Sequence, residues 1–364
     1  MTPRASTSAL MPVAEAATAL AALARPVAAA EMRPAEALGA VAARDVAVAA
    51  GLPAERTALR DGWAVRAAEI AGASPYAPVR AARAPVWVEA GEGLPPGTDA
   101  LLAPEAIGAD PREIEAEAAP GEGTRAAGAE LPPGTRLVGR GERVNPLHAL
   151  ALTAAGIARL SVRRPRLRLL AAEPDALSPL LGAWIAGSGG TAEAAPRPAE
   201  RDALAEALAA PGADAVVVIG GTGPGRRDAS AAAVAQAGRL HAHGIALRPG
   251  ESAGFGEAAG RPVLLLPGRP DAALAAWLAL GRPLLAALAG AAPDIPQTLP
   301  LTRKVTSTIG LTEAVFLRRR AAGAEPIGGS EIPLHRLAGA EAALLVPPAL
   351  EGYPAGTSVE VIFL

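Results

Sequence analysis

Apolar positions change rhythm along this chain, and each rhythm predicts a different kind of element. From residue 166 to 292, short continuous apolar runs alternate with segments of helical spacing. The runs lie at 166–172, 214–219 and 262–266. The second is Val, Ile and Ala after its first residue, the composition of a strand buried on both faces. Residues 176–186, 199–209, 229–237 and 271–287 carry the helical spacing. Strands alternating with helices predict a parallel, doubly wound α/β domain. Its ligand should sit beyond the C-terminal ends of the strands.

On either side the rhythm is different. Residues 46–135 hold short apolar runs near 45–48, 85–88 and 99–102, parted by turns such as Gly93-Leu-Pro-Pro-Gly97 and Leu131-Pro-Pro-Gly134. They predict a small β-rich module. Residues 148–156 read as a helix ending at Gly156. Residues 12–24 read as a first helix with Val13, Leu20 and Leu23 loosely on one face, and Thr7 or Ser8 can start it. After Pro293 the pattern returns to β. The candidates 299–308, 313–319, 343–346 and 358–364 predict a C-terminal barrel or sandwich. A chain of 364 residues has room for about two to three domains at ~150 residues each.

Composition narrows the classes of function. Lys+Arg of 34 against Asp+Glu of 36 gives a net charge of −2, which argues against a broad nucleic-acid-binding face. Cys is absent, which removes disulfides, thiolate metal sites, iron–sulfur clusters and cysteine nucleophiles. Four His argue against a multi-histidine metal centre, and three Phe, four Trp and two Tyr against a stacking platform for single strands. Hydrophobic content of 51% suffices for cores, and 40 Gly with 36 Pro stays below the level that signals disorder. Lys304 is the sole lysine, and the Ala, Gly, Pro and Arg excess follows GC-rich codons. A single Arg therefore says little here. The apolar stretch 272–280 is interrupted by Gly281-Arg282-Pro283, short of the ~20 residues of a membrane span. The apolar segment 9–24 contains Glu15 and lacks the basic start of a signal peptide. The expectation is a cytoplasmic protein with no membrane or nucleic-acid partner.

Four loops can carry chemistry. The first is Gly220-Gly-Thr-Gly-Pro-Gly225, delivered by the 214–219 strand onto a helix start. Its glycines permit close backbone approach, and free N–H groups at a helix N-terminus hold phosphate. Thr222 adds a hydroxyl. Asp228 is either the N-cap of the next helix or a carboxylate near metal or phosphate. No Gly-Lys-Ser/Thr follows, and the glycine spacing is not that of a dinucleotide fingerprint. The second loop, Pro267-Gly-Arg-Pro-Asp271, should lie on the same sheet edge, with Arg269 facing an anion or simply exposed. The third, His243-Gly-Ile-Ala-Leu-Arg-Pro-Gly250, offers Arg248 to an oxyanion, and His243 reads as structural. In the fourth, Arg60-Asp-Gly-Trp-Ala-Val-Arg66, composition makes Asp61 a turn residue.

Taken in order, these segments resemble the molybdopterin molybdenumtransferases of the MoeA and gephyrin E-domain type. Asp61-Gly-Trp-Ala-Val-Arg66 is similar to the family's Met-Asp-Gly-Tyr-Ala-Val-Arg. Gly91-Glu-Gly-Leu-Pro-Pro-Gly-Thr-Asp-Ala100 with Glu105, Arg140-Gly-Glu142, the 154–165 segment, His243–Gly256, Leu266-Pro-Gly268, Gly310-Leu-Thr-Glu313, Ser330 and Ala355-Gly-Thr-Ser-Val-Glu-Val continue in register over nearly the whole chain. The resemblance implies a multidomain α/β plus β fold. It divides into residues 1–45 with 136–165, a β-rich domain at 46–135, a molybdopterin-binding α/β domain at 166–292 and a C-terminal β-barrel at 293–364. It implies molybdenum cofactor biosynthesis: molybdate is inserted into adenylylated molybdopterin and AMP is released with Mg²⁺ assistance. It also implies a homodimer, whose site joins the α/β domain of one subunit to the β-rich domain of the other, with other cofactor-synthesis proteins as further partners. On this resemblance Asp61, Asp228 and Glu142 are catalytic. Gly220, Gly221, Thr222, Gly223, Gly225, Arg248, Pro249, Gly250, Pro267, Gly268, Arg269 and Ser330 bind substrate, Arg248 and Ser330 facing molybdate. Asp228 and Asp175 hold the metal, Glu173 being the alternative to Asp175.

Departures from the family pattern leave an alternative open. The Ser/Thr-Gly-Asp-Glu loop is Ala171-Ala-Glu-Pro-Asp175, the Asp after Arg-Gly-Glu is Arg143, the Asn of Pro-Gly-Asn-Pro is Arg269, and the second basic residue of Lys-Pro-Gly-Lys is Glu251. The alternative is a divergent paralogue that binds molybdopterin or finished cofactor without transferring metal. Gly220-Gly-Thr-Gly with Arg227-Asp228 is also similar to the loop of the molybdopterin adenylyltransferases, so adenylyl transfer is a further alternative.

Overall fold

The computed structural model describes residues 10–225 and 228–364. Thr7 and Ser8, expected to start the first helix, and Arg227 of the glycine loop lie outside the described residues. The chain divides into two compact units. One comprises residues up to 44, 140–149 and 159–364, and the other residues 45–139 and 150–158.

The first unit is built on a six-stranded sheet. We label its elements, with the first helix α1 (Val13–Leu23), as β1 (Arg166–Ala171), α2 (Leu177–Gly187), β2 (Thr191–Pro196), α3 (Arg201–Ala209), β3 (Ala215–Ile219), α4 (Ser230–Ala237), β4 (Gly238–His243), β5 (Leu247–Arg248), β6 (Gly254–Ala258) and β7 (Arg261–Leu266). The sheet order is β2-β1-β3-β7-β6-β4. The first four strands are parallel, as expected, while β6 runs antiparallel to β7 and to β4, so that β6 alone is reversed in the sheet. The fully parallel sheet is thus corrected to a mixed one.

Alternation along β3 explains the layers. Ala215, Val217 and Ile219 face one core with α1, α2 and the helix that follows β7. Val216 and Val218 face the opposite core with Leu204 and Leu208 of α3 and Val234 of α4. Side chains point alternately to the two faces of a strand, so a run apolar at every position must be covered twice.

The helix after β7, α5, runs from Pro270 to Ala289 without a break. Gly281-Arg282-Pro283 interrupts its apolar composition but not its course. Trp277–Gly281 widens into a π turn, whose longer hydrogen-bonding step relieves the demand Pro283 makes on the preceding turn. Gly281 is needed there, because a Cβ would stand 2.2 Å from Cε3 of Trp277. The helix ends at Gly290 in the left-handed conformation, φ 62°. Among the described residues α5 is the one helix long and apolar enough to cross a membrane, and 78% of its most apolar window is buried inside the protein.

The C-terminal strands are β8 (Gln297–Pro300), β9 (Thr312–Arg320), β10 (Gly323–Gly328), β11 (Ala342–Val346) and β12 (Ser358–Phe363). The order is β5-β9-β11-β12-β8, with β10 pairing β9 on its other side. The expected barrel is not closed by a continuous ladder. The sheet curls so that Leu301, just after β8, forms a single bridge to Ala324 on β10. The candidate strand 299–308 splits into two short pieces, Gln297–Pro300 and Val305–Thr306.

In the second unit, Gly62–Val65 lies between Val86–Val88 and Ala100–Leu102 in an antiparallel sheet. Trp63 and Trp87 meet edge to face with centroids 5.1 Å apart. Asp61 is exposed, and its Oδ1 accepts the Ala90 N–H at 2.8 Å.

Candidate functional site

Three loops meet at the C-terminal edge of the parallel strands. The glycine loop leaves β3, the Pro267–Arg269 loop leaves β7, and residues 248–252 lead from β5 toward β6. Backbone packing holds them together. The Gly220 N–H donates to Leu266 O at 2.8 Å. A Cβ on Gly268 would stand 3.4 Å from the Gly220 Cα, so the two loops approach backbone to backbone. Gly220 and Gly221 have φ of 84° and 68°, the region that favours glycine. Ser230, the first residue of α4, secures the loop twice: its Oγ donates to Gly220 O at 2.9 Å and its N–H to Gly221 O at 3.1 Å.

Between the loops lies a cavity of about 480 Å³. Its lining includes Gly221, Thr222, Gly223, Asp228, Gly250, Pro267, Gly268 and Arg269 of the expected residues. Glu251, Ser252 and Ala272 line it as well. The Thr222 and Ser252 hydroxyls lie 3.1 Å apart. His243 Nε2 is 2.7 Å from Thr222 O. A carbonyl only accepts, so this nitrogen carries the proton. His243 therefore holds the glycine loop, in keeping with its structural reading.

Asp228 is not the N-cap. The helix starts at Ser230, preceded by Ala229, with no side-chain cap. The Asp228 side chain turns back over the loop instead. Its Oδ2 is 3.4 Å from Gly225 N and would be 2.8 Å from a Cβ on Gly223. Glycine at 223 and 225 leaves room for that carboxylate.

Arg269 is half-exposed and has three partners. Its Nε donates to Asp271 Oδ1 at 2.7 Å, Nη2 reaches Ser330 Oγ at 3.5 Å, and Nη1 lies 3.7 Å from Glu331 Oε1. Asp271 is buried, and its Oδ2 accepts the Glu331 N–H at 2.7 Å. One carboxylate thus ties the α5 start and Arg269 to the loop between β10 and β11. Sequence reasoning passed over Asp271, which looked like an ordinary acidic residue in a first helical turn. Arg248 is half-exposed, with its Nε 3.5 Å from Glu251 Oε1 and Nη1 3.4 Å from Thr308 Oγ1. It is followed by Pro249 through a cis peptide bond.

The remaining expected residues lie elsewhere. Asp175 follows β1 on the same sheet edge, but its Oδ1 accepts the N–H groups of Leu177 and Ser178 at 3.0 and 2.9 Å. It caps α2. Glu142 is exposed, and its carbonyl accepts the Ala42 N–H at 2.9 Å. Asp61 belongs to the second unit. Neither Asp175 nor Glu142 lines the cavity.

A profile of the MoeA N-terminal region (domains I and II) matches residues 11–156, and one of a probable molybdopterin binding domain matches residues 167–287. Molybdopterin molybdenumtransferase 2 of Mycobacterium tuberculosis is 28% identical over 383 residues, covering 90% of this chain and 93% of that protein. A putative molybdopterin biosynthesis protein of Methanocaldococcus jannaschii is 26% identical over 375 residues, covering 90% of each. The crystal structure of a molybdopterin biosynthesis MoeA protein from Pyrococcus horikoshii superposes with a TM-score of 0.74 at 25% identity, covering 97% of this chain and 99% of that one. Another crystal structure of a molybdopterin biosynthesis MoeA protein from Pyrococcus horikoshii gives 0.78 at 21% identity, covering 98% of this chain and 100% of that one.

Proposed function

The chain belongs to the MoeA family, and from that premise we propose that it inserts molybdenum into molybdopterin. The substrate is adenylylated molybdopterin, molybdate is the second substrate, and AMP is released. The observation that carries this reading is the convergence of two glycine-bearing strand ends and the Gly250 loop on one cavity with a carboxylate folded over it.

The chemistry follows from the donors present. Backbone N–H groups of residues 221–223 would donate to the phosphoanhydride oxygens, with the Thr222 hydroxyl beside them. Arg269, fixed in direction by Asp271, presents Nη2 toward Ser330, and the two would give an oxyanion two kinds of donor. Asp228 turns its carboxylate over the glycine loop, where it would stand beside the phosphates. Water attacks the adenylyl phosphorus, the phosphoanhydride P–O bond breaks, and the pterin phosphate leaves.

The cavity suits a hard divalent cation in part. Asp228 and Glu251 are carboxylates in its wall, and Thr222 and Ser252 are hydroxyls. Mg²⁺ is commonly held by one or two carboxylates, waters and substrate phosphates. Among the described residues no three His, Asp or Glu gather as a metal cage, so the substrate phosphates would complete the shell. When bound, Mg²⁺ would withdraw charge from the phosphoanhydride. Asp228 would hold it. We propose that Asp61 acts from the other subunit of a homodimer in the cytoplasm, as the family resemblance implies.

A second reading, binding of molybdopterin without metal transfer, is favoured by one observation: Asp175 commits an oxygen to capping α2. One experiment separates the two. AMP release from adenylylated molybdopterin is measured with Mg²⁺ and molybdate, then with each omitted. Release that needs both supports the transferase. Tight pterin binding without release supports the carrier.

A further inference from the structure

Arg197 follows β2, and among the described arginines it has both Nε and Nη1 buried without a partner. Its backbone N–H donates to Ala171 O at 2.7 Å, at the end of β1. Its side chain then crosses the end of β1 to the glycine loop after β3. Nη1 stands 2.7 Å and Cζ 3.1 Å from the position a Cβ would take on Gly221. Nε and Nη1 are both buried without a hydrogen-bond partner among the described residues.

Buried arginines elsewhere find carbonyls. Arg261 donates to Leu208, Ala209, Ala210 and Ala213. Arg164 has an unpartnered Nε, but its Nη2 donates to Glu36 and Leu38. Leaving charged N–H groups buried and unmade is costly, so an acceptor is expected to arrive. The location says which kind. Arg197 spans the C-terminal edge of β2, β1 and β3, where open α/β sheets bind ligands. Gly221 lines the cavity, and because it has no side chain the guanidinium packs directly against its backbone, behind the cavity wall.

We propose that Arg197 is a substrate-binding residue whose guanidinium donates to a phosphate oxygen seated over Gly221. A planar fork of N–H donors suits phosphate. The assignment rests on the reading of the glycine loop as a phosphate cradle, and it deepens that reading by giving the cradle a fixed positive charge on its β1 side.

The test is calorimetric titration of the full-length protein with inorganic pyrophosphate, using wild type, Arg197→Met and Arg197→Lys. Methionine keeps an apolar stem against Gly221 and removes the charge. R197M should weaken binding at least about tenfold, or ~1.4 kcal/mol, and R197K by less. The unliganded Tm of R197M should equal or exceed that of wild type, because an unsatisfied cation has been removed. A merely structural arginine would lower Tm and leave the affinity alone. The proposal is overturned if R197M, or R197K should R197M not fold, binds pyrophosphate as wild type does. It is also overturned if wild type binds none. AMP release by wild type is measured separately. Absence of release with an intact pyrophosphate effect would sink the transferase reading and leave Arg197 assigned.

Discussion

Asp271 is the most consequential buried carboxylate near the cavity, and its replacement gives a stringent test. Both of its partners are donors: Arg269 Nε to Oδ1 and the Glu331 N–H to Oδ2, each at 2.7 Å. Asparagine has one carbonyl oxygen and one NH₂, so Asp271→Asn satisfies one donor and turns a second donor against the other. A hydrogen bond to a charged group contributes about 1.5–3 kcal/mol. The Arg269 side chain is 49% exposed and can turn to water, whereas Asp271 is buried. The amide oxygen should therefore stay with Glu331, and the loss should fall near the lower end, about 1.5–2 kcal/mol. Asp271→Ala removes both bonds and should cost about 3 kcal/mol. Urea unfolding measures the loss, with Arg269→Ala and the double variant closing a cycle. Hydrogen exchange at the Glu331 amide reports the second bond, and it should accelerate in Asp271→Ala but little in Asp271→Asn. An unchanged unfolding midpoint in Asp271→Asn, together with an unprotected Glu331 amide in wild type, would refute the reasoning.

The other expectations are more local. Asp228→Ala should lower AMP release at least about a hundredfold, the scale for a group acting in the transition state; undiminished release would remove Asp228 from the chemistry. Gly281→Ala gains up to ~1 kcal/mol of helix propensity but drives a Cβ to 2.2 Å from Trp277. Overpacking costs about 1–3 kcal/mol, so the variant should melt earlier than wild type, and an equal or higher Tm would be a failure. The Arg112 backbone N–H, then the Arg80 side chain, hold the Asp110 carboxyl below its ordinary pKa. Its contribution to stability is full above the ordinary carboxylate range and fades as pH falls through the depressed value. Asp110→Asn should therefore lower stability slightly at neutral pH and flatten the acid limb, the difference from wild type vanishing once pH falls below the depressed value.

The strands that were legible are those whose apolar residues run together, since burial on two faces leaves nothing polar to break the run. Those that were missed have identifiable reasons. β2 is Thr-Ala-Glu-Ala-Ala-Pro, an edge strand exposed along most of its length, so its composition carries no core signal. β4 and β6 contain Gly238, Gly254 and Gly256, which read as turn residues. They are glycines because the strands approach closely: a Cβ would stand 2.2 Å from Glu257 O, 2.6 Å from Ala242 O and 2.3 Å from Arg239 O respectively. At the cavity, the glycine loop and Pro267–Arg269 were legible because strand–loop–helix junctions on parallel strands share an edge. Asp271 and Arg197 were not. One was hidden in an ordinary helix start, and the other in a chain where arginine is the default base. Asp228 was legible only as a residue after the glycine loop, since its direction depends on glycines 223 and 225 making room.

The position of α5 in the chain sets an order of events during synthesis. α1 packs in the same core as α5, yet about 250 residues separate them, which a ribosome adding ~5–20 residues per second takes roughly 12–50 s to make. All six strands of the sheet emerge in that interval, with one apolar face awaiting its main cover. A nascent chain stalled before Pro270 would therefore display a broad oily surface, the kind that holdase chaperones retain. The main cover for that face is the unit's most membrane-like segment, and Ala314, Phe316 and Ala343 of the strands that follow complete the same core.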